Sequence, residues 1–150
     1  MRDKSGDRYV LAIDDEEGDC YYLYLTQGRR FVARVNCLIH ESGVMDLADI
    51  RVHETVAAHK PWFLWFIPWC LWKTLTGKQY RGRGLGSSLL QHVIDYARRR
   101  GLKQIRGFVT TKDLAAGPQL LEWYARHGFQ VLENRGRSPA SVAARIILEL

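Results

Sequence analysis

Cysteine is scarce in this chain and poorly placed for pairing. Cys20, Cys37 and Cys70 are the only three, no two form a CxxC motif, and no histidine pair stands near them. An odd, scattered set argues against a disulfide framework and against a zinc site, and it suits a reducing cytoplasm. The opening residues, MRDKSGDRYV, lack the apolar run of a secretory signal. The twelve-residue apolar run from Pro61 to Trp72 falls short of the about 20 residues that span a bilayer. Internal repeats and low-complexity tracts are missing too. What is present is ordinary for a globular chain: 150 residues, 47% hydrophobic and 25% charged, enough for a single domain over 1–150 with a real core. The net charge of +6 favours anionic partners such as phosphates, nucleic acid or acidic membrane, or serves solubility alone.

The first third reads as a meander of strands. RYVLAID, CYYLYLT, RFVARVNCLI and VMDLADIRV are separated by DEEGD, QGR and HESG, each with turn chemistry at hairpin spacing. The acidic run from Asp14 to Glu17 reads as a solvated hairpin tip rather than a metal loop. The fourth strand changes phase: Met45 and Leu47 are apolar at odd positions, Ile50 and Val52 at even ones. Strand faces alternate with period two, so the switch at Ala48-Asp49 flips the core face unless one extra residue is inserted there as a β-bulge. A strand buried on both faces is the alternative.

From Leu85 the pattern becomes helical, with Leu85, Leu89, Leu90, Val93, Ile94 and Ala97 on one stripe. Arg98-Arg99-Arg100 then places cations at the negative end of the dipole, and Gly101 stops the helix. QIRGFVT reads as a strand, PQLLEWYARHG as a helix with proline in its first turn, GFQVLE as a strand and ARIILEL as a terminal strand. This order requires at least one parallel pair with a crossover.

The entry to the first helix reads YRGRGLGSS. Glycine is a costly choice unless the backbone must turn sharply or be closely approached, and arginine beside it points to an anion. A Walker loop needs lysine after its last glycine, where Ser87 stands. A dinucleotide fingerprint needs G-x-G-x-x-G, and the spacing is G-x-G-x-G with no acid near residues 102–106. An RNA-binding RGG segment is usually a disordered repeat, and this one opens a helix. What remains is a nest in which the amides of Gly82, Arg83, Gly84, Leu85, Gly86 and Ser87 converge on one anion the size of a pyrophosphate. Arg81 and Arg83 would add charge-assisted bonds.

Arg81-x-x-Gly84-x-Gly86 resembles the R/Q-x-x-G-x-G/A signature of the GNAT acyltransferase superfamily. Tyr124, followed four residues on by Gly128-Phe129, is similar to that family's tyrosine and Gly-Phe pair. The resemblance covers residues 80–133 well and 30–52 loosely. It implies an α+β fold: a mixed, mostly antiparallel sheet flanked by helices, here with an N-terminal β-meander. It also implies acyl-coenzyme A as cosubstrate, no metal, and direct attack by an amine on the thioester without a covalent intermediate. The pyrophosphate would sit on the loop and the pantetheine alongside Ile50, Arg51 and Val52, which gives the bulge a purpose. Tyr124 matches the family's acid for the departing thiolate.

The base is open among Glu41, Asp46, Asp49, His53 and Glu54, with Glu54 preferred by position. Some family members use ordered water instead. Three features depart from the family pattern. The asparagine often found seven residues before the tyrosine is Gly117 here. The two helices that normally cover the acceptor are missing from the N-terminal half. An insertion at about 53–79 holds four of the five tryptophans, Trp62, Trp65, Trp69 and Trp72, spaced as on one helix face with Pro68 breaking it. An apolar segment of this kind folds over the domain, pairs in a homodimer, or rests on a membrane surface. The expectation is that Trp65 and Trp69 wall an acceptor pocket for hydrophobic or aromatic amines. The reading is thus an acetyl-coenzyme A-dependent N-acetyltransferase, cytoplasmic and without a nucleic-acid partner. Its rivals are a non-catalytic coenzyme-binding sensor or interaction module and a basic nucleic-acid binder.

Overall fold

The computed structural model describes residues 3, 6–14, 19–53, 55–56, 78–80, 82–134 and 141–150. Among the described residues, nine strands and three helices run in the order β1 (Val10–Asp14), β2 (Cys20–Gln27), β3 (Arg30–Ile39), β4 (Val44–Val52), β5 (Thr55–Val56), β6 (Lys78–Gln79), α1 (Leu85–Arg99), β7 (Gln104–Thr110), α2 (Thr111–Ala116), α3 (Leu120–Arg126), β8 (Gln130–Glu133) and β9 (Val142–Glu149). Seven strands form one sheet in the order β1-β2-β3-β4-β7-β9-β8, and β5 pairs with β6 separately. Every neighbour in the large sheet is antiparallel except β4–β7, which is parallel and reached through α1. The fold is the expected α+β one, with its mostly antiparallel sheet and N-terminal meander.

The core lies on one face of that sheet. Tyr21, Leu23 and Leu25 of β2, Val35 and Cys37 of β3, Met45 and Leu47 of β4, Ile105 and Val109 of β7, and Ala144 and Ile146 of β9 are all buried. Against them α1 packs the stripe read from the sequence, Leu85, Leu89, Leu90, Val93, Ile94 and Ala97, all buried. Each buried leucine, isoleucine or valine of the stripe contributes about 1.5–3 kcal/mol relative to exposure, so packing rather than propensity holds this helix. Its end is a Schellman motif: Gly101, at φ +69°, donates to Arg98 O and Leu102 donates to Ala97 O. On the opposite face Tyr22, Tyr24, Arg34, Asn36, Asp46, Arg51, Arg106 and Phe108 are half-buried or exposed.

The phase change in β4 is a bulge. Asn36 pairs with Asp49 and Cys37 with Leu47, leaving Ala48 as the unpaired extra residue. Ile50 and Val52 thereby return to the core side, packed against its buried residues. Further register shifts at Leu25/Thr26 and Val109/Thr110 carry no comparable sequence signal.

One local expectation changes, and two elements are new. The proline of PQLLEWYARHG does not enter the helix: α3 starts at Leu120, and Pro118 lies in a turn closed by Leu120 N–H to Gly117 O. α2 was not expected. A capping box makes it, with the Thr110 hydroxyl accepting from Asp113 N–H while the Asp113 carboxylate accepts from Thr110 N–H. The β5–β6 ladder, Thr55 with Gln79 and Val56 with Lys78, closes the base of the insertion.

Candidate active site

The parallel ladder between β4 and β7 holds for four pairs, from Val44–Gln104 to Leu47–Gly107, and then stops. Beyond it β4 stays with β3 and β7 stays with β9, so the two strands part and open a wedge. The bulge at Ala48 stands one residue past the last pair, where it turns β4 away. Among the described residues, the backbone groups of β4 that face the wedge after Leu47 therefore have no strand partner. Gly107 marks the apex. A Cβ there would stand 3.1 Å from the Leu47 carbonyl oxygen and 3.3 Å from Ile146, so close approach of the strands requires glycine.

The N-terminus of α1 faces the open end of this wedge. A Cβ on Gly86 would lie 3.8 Å from Val52 Cγ2 and 3.7 Å from Trp123 Cζ2, so β4, α1 and α3 converge at that glycine. Gly84 is the N-cap at φ +81°, ψ 4°, with no side-chain cap, and the first turn carries no acidic residue. Gly82 is also left-handed, at φ +77°. Among the described residues none of the amides from Gly82 to Ser87 donates to a backbone carbonyl, and the first helical bond is Ser88 N–H to Gly84 O. Amides without a backbone partner among the described residues, at the positive end of a fifteen-residue helix, form an anion-receiving surface.

Tyr124 lies on α3 and is buried, its ring edge-on to Trp123 at 4.7 Å and to Phe129 at 5.5 Å. Among the described residues its hydroxyl makes no hydrogen bond, and since no fully buried side-chain polar atom there lacks a partner, its oxygen keeps some accessible surface. Burial, followed by the charges of Asp113, Asp49 and Cys37, pushes its phenol well above the ordinary tyrosine range. It is therefore a neutral O–H donor through the physiological range.

Ile50 and Val52 sit half-buried on the core side of β4, whereas Arg51 points to the opposite face and donates from Nε to Asp49 at 3.1 Å. Gly82, Gly84, Leu85, Gly86 and Ser87 come together around the helix entry. Arg83 changes role. Its Nη1 donates to Asp7 Oδ2 at 2.7 Å and to Asp3 Oδ2 at 3.3 Å, so two carboxylates already hold its charge. What it can offer an anion is its backbone amide. Arg81, Glu54, Trp65 and Trp69 lie outside the described residues.

The remaining base candidates separate by position. Glu41 is exposed in the β3–β4 turn, at the paired end of the strands. Asp46 accepts from Arg106 and meets His40 Nε2 at 2.8 Å, and the Arg106 bond in particular holds its carboxyl below the usual range. A carboxylate so stabilised makes a weak base. Asp49 stands beside the bulge with Arg34 and Arg51 as partners at 3.4 and 3.1 Å. His53 donates its backbone N–H to Val32 O and sets its ring against Phe31 at 5.7 Å. Among the described residues no group of three or more histidine, cysteine, aspartate or glutamate side chains could hold a metal, and no helix is long and apolar enough to cross a membrane.

Sequence reasoning missed Trp123. Its Nε1 donates to Ser87 Oγ at 3.0 Å, which ties α3 to the first turn of α1 beside the amide nest. Periodicity carried no signal for this, because the bond joins residues 36 apart.

The model of the acetyltransferase (GNAT) family matches residues 2–129. Comparison with curated proteins gives no match. Among solved structures, the chain is similar to an IAA acetyltransferase from Bacillus cereus, with a TM-score of 0.63 at 14% identity over 95% of this chain and all of that one. A GNAT family acetyltransferase from Elizabethkingia anophelis with acetyl-CoA bound gives 0.62 at 11% identity, covering 96% and 99%. The PaiA N-acetyltransferase of Thermoplasma acidophilum in complex with coenzyme A gives 0.57 at 14% identity; 88% of this chain is covered, and it spans 62% of that protein's length.

Proposed function

Since this chain belongs to the acetyltransferase (GNAT) family, we propose that it transfers an acetyl group from acetyl-coenzyme A to a primary amine. The observation that carries the reading is the wedge between β4 and β7, opening toward a glycine-built helix entry whose amides have no backbone partner among the described residues. A pyrophosphate fits that entry by charge and by donor count, and a pantetheine arm is a chain of amides that can pair with the free edge of β4 at Ile50, Arg51 and Val52. Two solved structures that it resembles carry coenzyme A or acetyl-CoA.

The chemistry follows from the groups at hand. The neutral amine attacks the thioester carbon, forming the C–N bond while the carbonyl π electrons move to oxygen, where wedge-facing amides of β4 can donate. Collapse breaks the C–S bond, and Tyr124 supplies the proton to the thiolate. The amine proton passes to a base, for which Glu54 was expected and Asp49 is the described carboxylate at the bulge, or to ordered water. Trp65 and Trp69 are assigned to the acceptor side from their place in an insertion whose base is closed by β5 and β6 beside the end of β4. This favours hydrophobic or aromatic amines. The unpaired Cys20 and buried Cys37 suit a reducing compartment such as the cytoplasm.

The test is a panel of amines incubated with acetyl-coenzyme A and the protein, with free thiol detected over time. Amine-dependent thiol release supports the reading. Coenzyme binding without amine-dependent release across aliphatic, aromatic and peptide amines would overturn it in favour of a binding module.

A further inference from the structure

An N-terminal turn is bolted to the glycine loop. Asp3 N–H donates to Asp7 O at 3.1 Å, Gly6 N–H to Asp3 O at 3.1 Å, and Asp7 N–H to Asp3 Oδ1 at 2.9 Å, closing the turn around Gly6 at φ +81°. The other carboxylate oxygen of Asp3 accepts from the Tyr9 hydroxyl at 2.7 Å and from Arg83 at 3.3 Å. Asp7 Oδ2 takes Arg83 at 2.7 Å. The Asp3 side chain is 0% exposed, and that of Arg83 22%. The guanidinium lies 5.7 Å over the ring of Tyr80, which is fully buried, edge-on to Tyr9, and donates to Gln27 Oε1 at 3.0 Å.

Arg83 stands between two left-handed glycines, Gly82 and Gly84. Glycine gives such a loop the shape it needs but not a reason to stay in it, because glycine has the most conformational freedom to lose. A loop that must be ordered by its ligand binds that ligand more weakly than one already ordered. We infer that Asp3 and Asp7 act through Arg83 to hold the Gly82–Gly84 loop in its anion-receiving shape before the coenzyme arrives, making them positioning residues for coenzyme binding. The inference rests on the coenzyme occupying this loop. It also assigns the Arg83 side chain to the fold side of the loop, leaving its backbone amide for the phosphate.

The sign of one experiment separates this from the simpler electrostatic view. Removing two negative charges beside a phosphate site should by charge alone tighten binding. The brace predicts the reverse. In Asp3→Asn/Asp7→Asn, calorimetric Kd for coenzyme A and KM for acetyl-coenzyme A rise about tenfold or more, the scale of a lost bond to a charged group. The kcat at saturation stays within about twofold, because the transferring atoms are untouched. Backbone NMR order parameters from Gly82 to Ser87 fall in the free variant, while those of Leu89–Val93 in mid-helix do not. Unchanged or tightened coenzyme binding in the folded variant overturns the inference. Should the double variant not fold, Asp7→Asn alone removes the shorter carboxylate partner of Arg83, and an unchanged Kd with unchanged loop order parameters there overturns it equally. If the wild type binds no coenzyme A, the proposed function fails instead, and the order-parameter comparison still decides whether the brace orders the loop.

Discussion

Replacing Gly107 by alanine tests the geometry of the wedge at its apex. The added methyl would stand 3.1 Å from the carbonyl oxygen of Leu47 and 3.3 Å from two carbons of Ile146. The Ile146 side chain can rotate. The Leu47 carbonyl cannot, because it belongs to the last pair of the β4–β7 ladder. Overpacking of this size costs about 1–3 kcal/mol. Alanine restricts the unfolded chain more than glycine does, which offsets about 0.4–1 kcal/mol. The net expectation is a loss of about 1–2 kcal/mol, or about 2–8 °C in Tm for a domain of this size. Urea unfolding should show a lower midpoint with an unchanged slope. Because the strain falls where the strands part, coenzyme affinity should fall as well. A neutral or stabilised Gly107→Ala would refute the claim that close backbone approach defines the apex.

Further outcomes follow from the same structure. Tyr124→Phe should lower kcat by about 10²-fold with little change in coenzyme affinity; a wild-type kcat would make the phenol structural. Burial pushes the Cys37 thiol from near 9.0 up to about 12. The stability this contributes is complete below the lower value, where the thiol is protonated in both states, and is lost as pH rises through the upper one. The urea midpoint should therefore fall above pH 9, less steeply in Cys37→Ala, and equal slopes would contradict this. Trp65→Ala and Trp69→Ala should impair use of the acceptor while leaving coenzyme binding intact, and unaltered acceptor kinetics in both would remove the insertion from the pocket.

What could be read from sequence was local. The α1 stripe, the limits of β3 and β4 and the bulge at Ala48 follow from periodicity and from a change in its phase, both carried by neighbouring residues. The glycine loop was legible for the same reason: its spacing, Ser87 in place of a lysine and the lack of an acid near residues 102–106 exclude the nucleotide motifs. Contacts made at long range were not legible. Arg83 looked like a free phosphate ligand because nothing nearby in sequence competes for it, while its carboxylate partners come from residues 76 and 80 positions earlier. Trp123 was read past because its indole bond reaches another helix. The place of β9 between β7 and β8 depends on strand pairing that no periodic pattern encodes. Two local signals were present but unused: the Thr110–Asp113 box that starts α2, and an isolated glycine within the strand QIRGFVT.

The central claim is that the entry of α1 receives the pyrophosphate of an acyl-coenzyme A. Calorimetric titration of coenzyme A into the wild type and into Gly84→Glu tests it directly. Gly84 is the left-handed N-cap, so any side chain there adds about 1–2 kcal/mol of backbone strain, and circular dichroism must first confirm that the variant is folded. A glutamate at this position would place its side chain and its negative charge among the amides from Gly82 to Ser87. The account predicts saturable binding to the wild type and none to the folded variant. Equal affinity in the two proteins would contradict it.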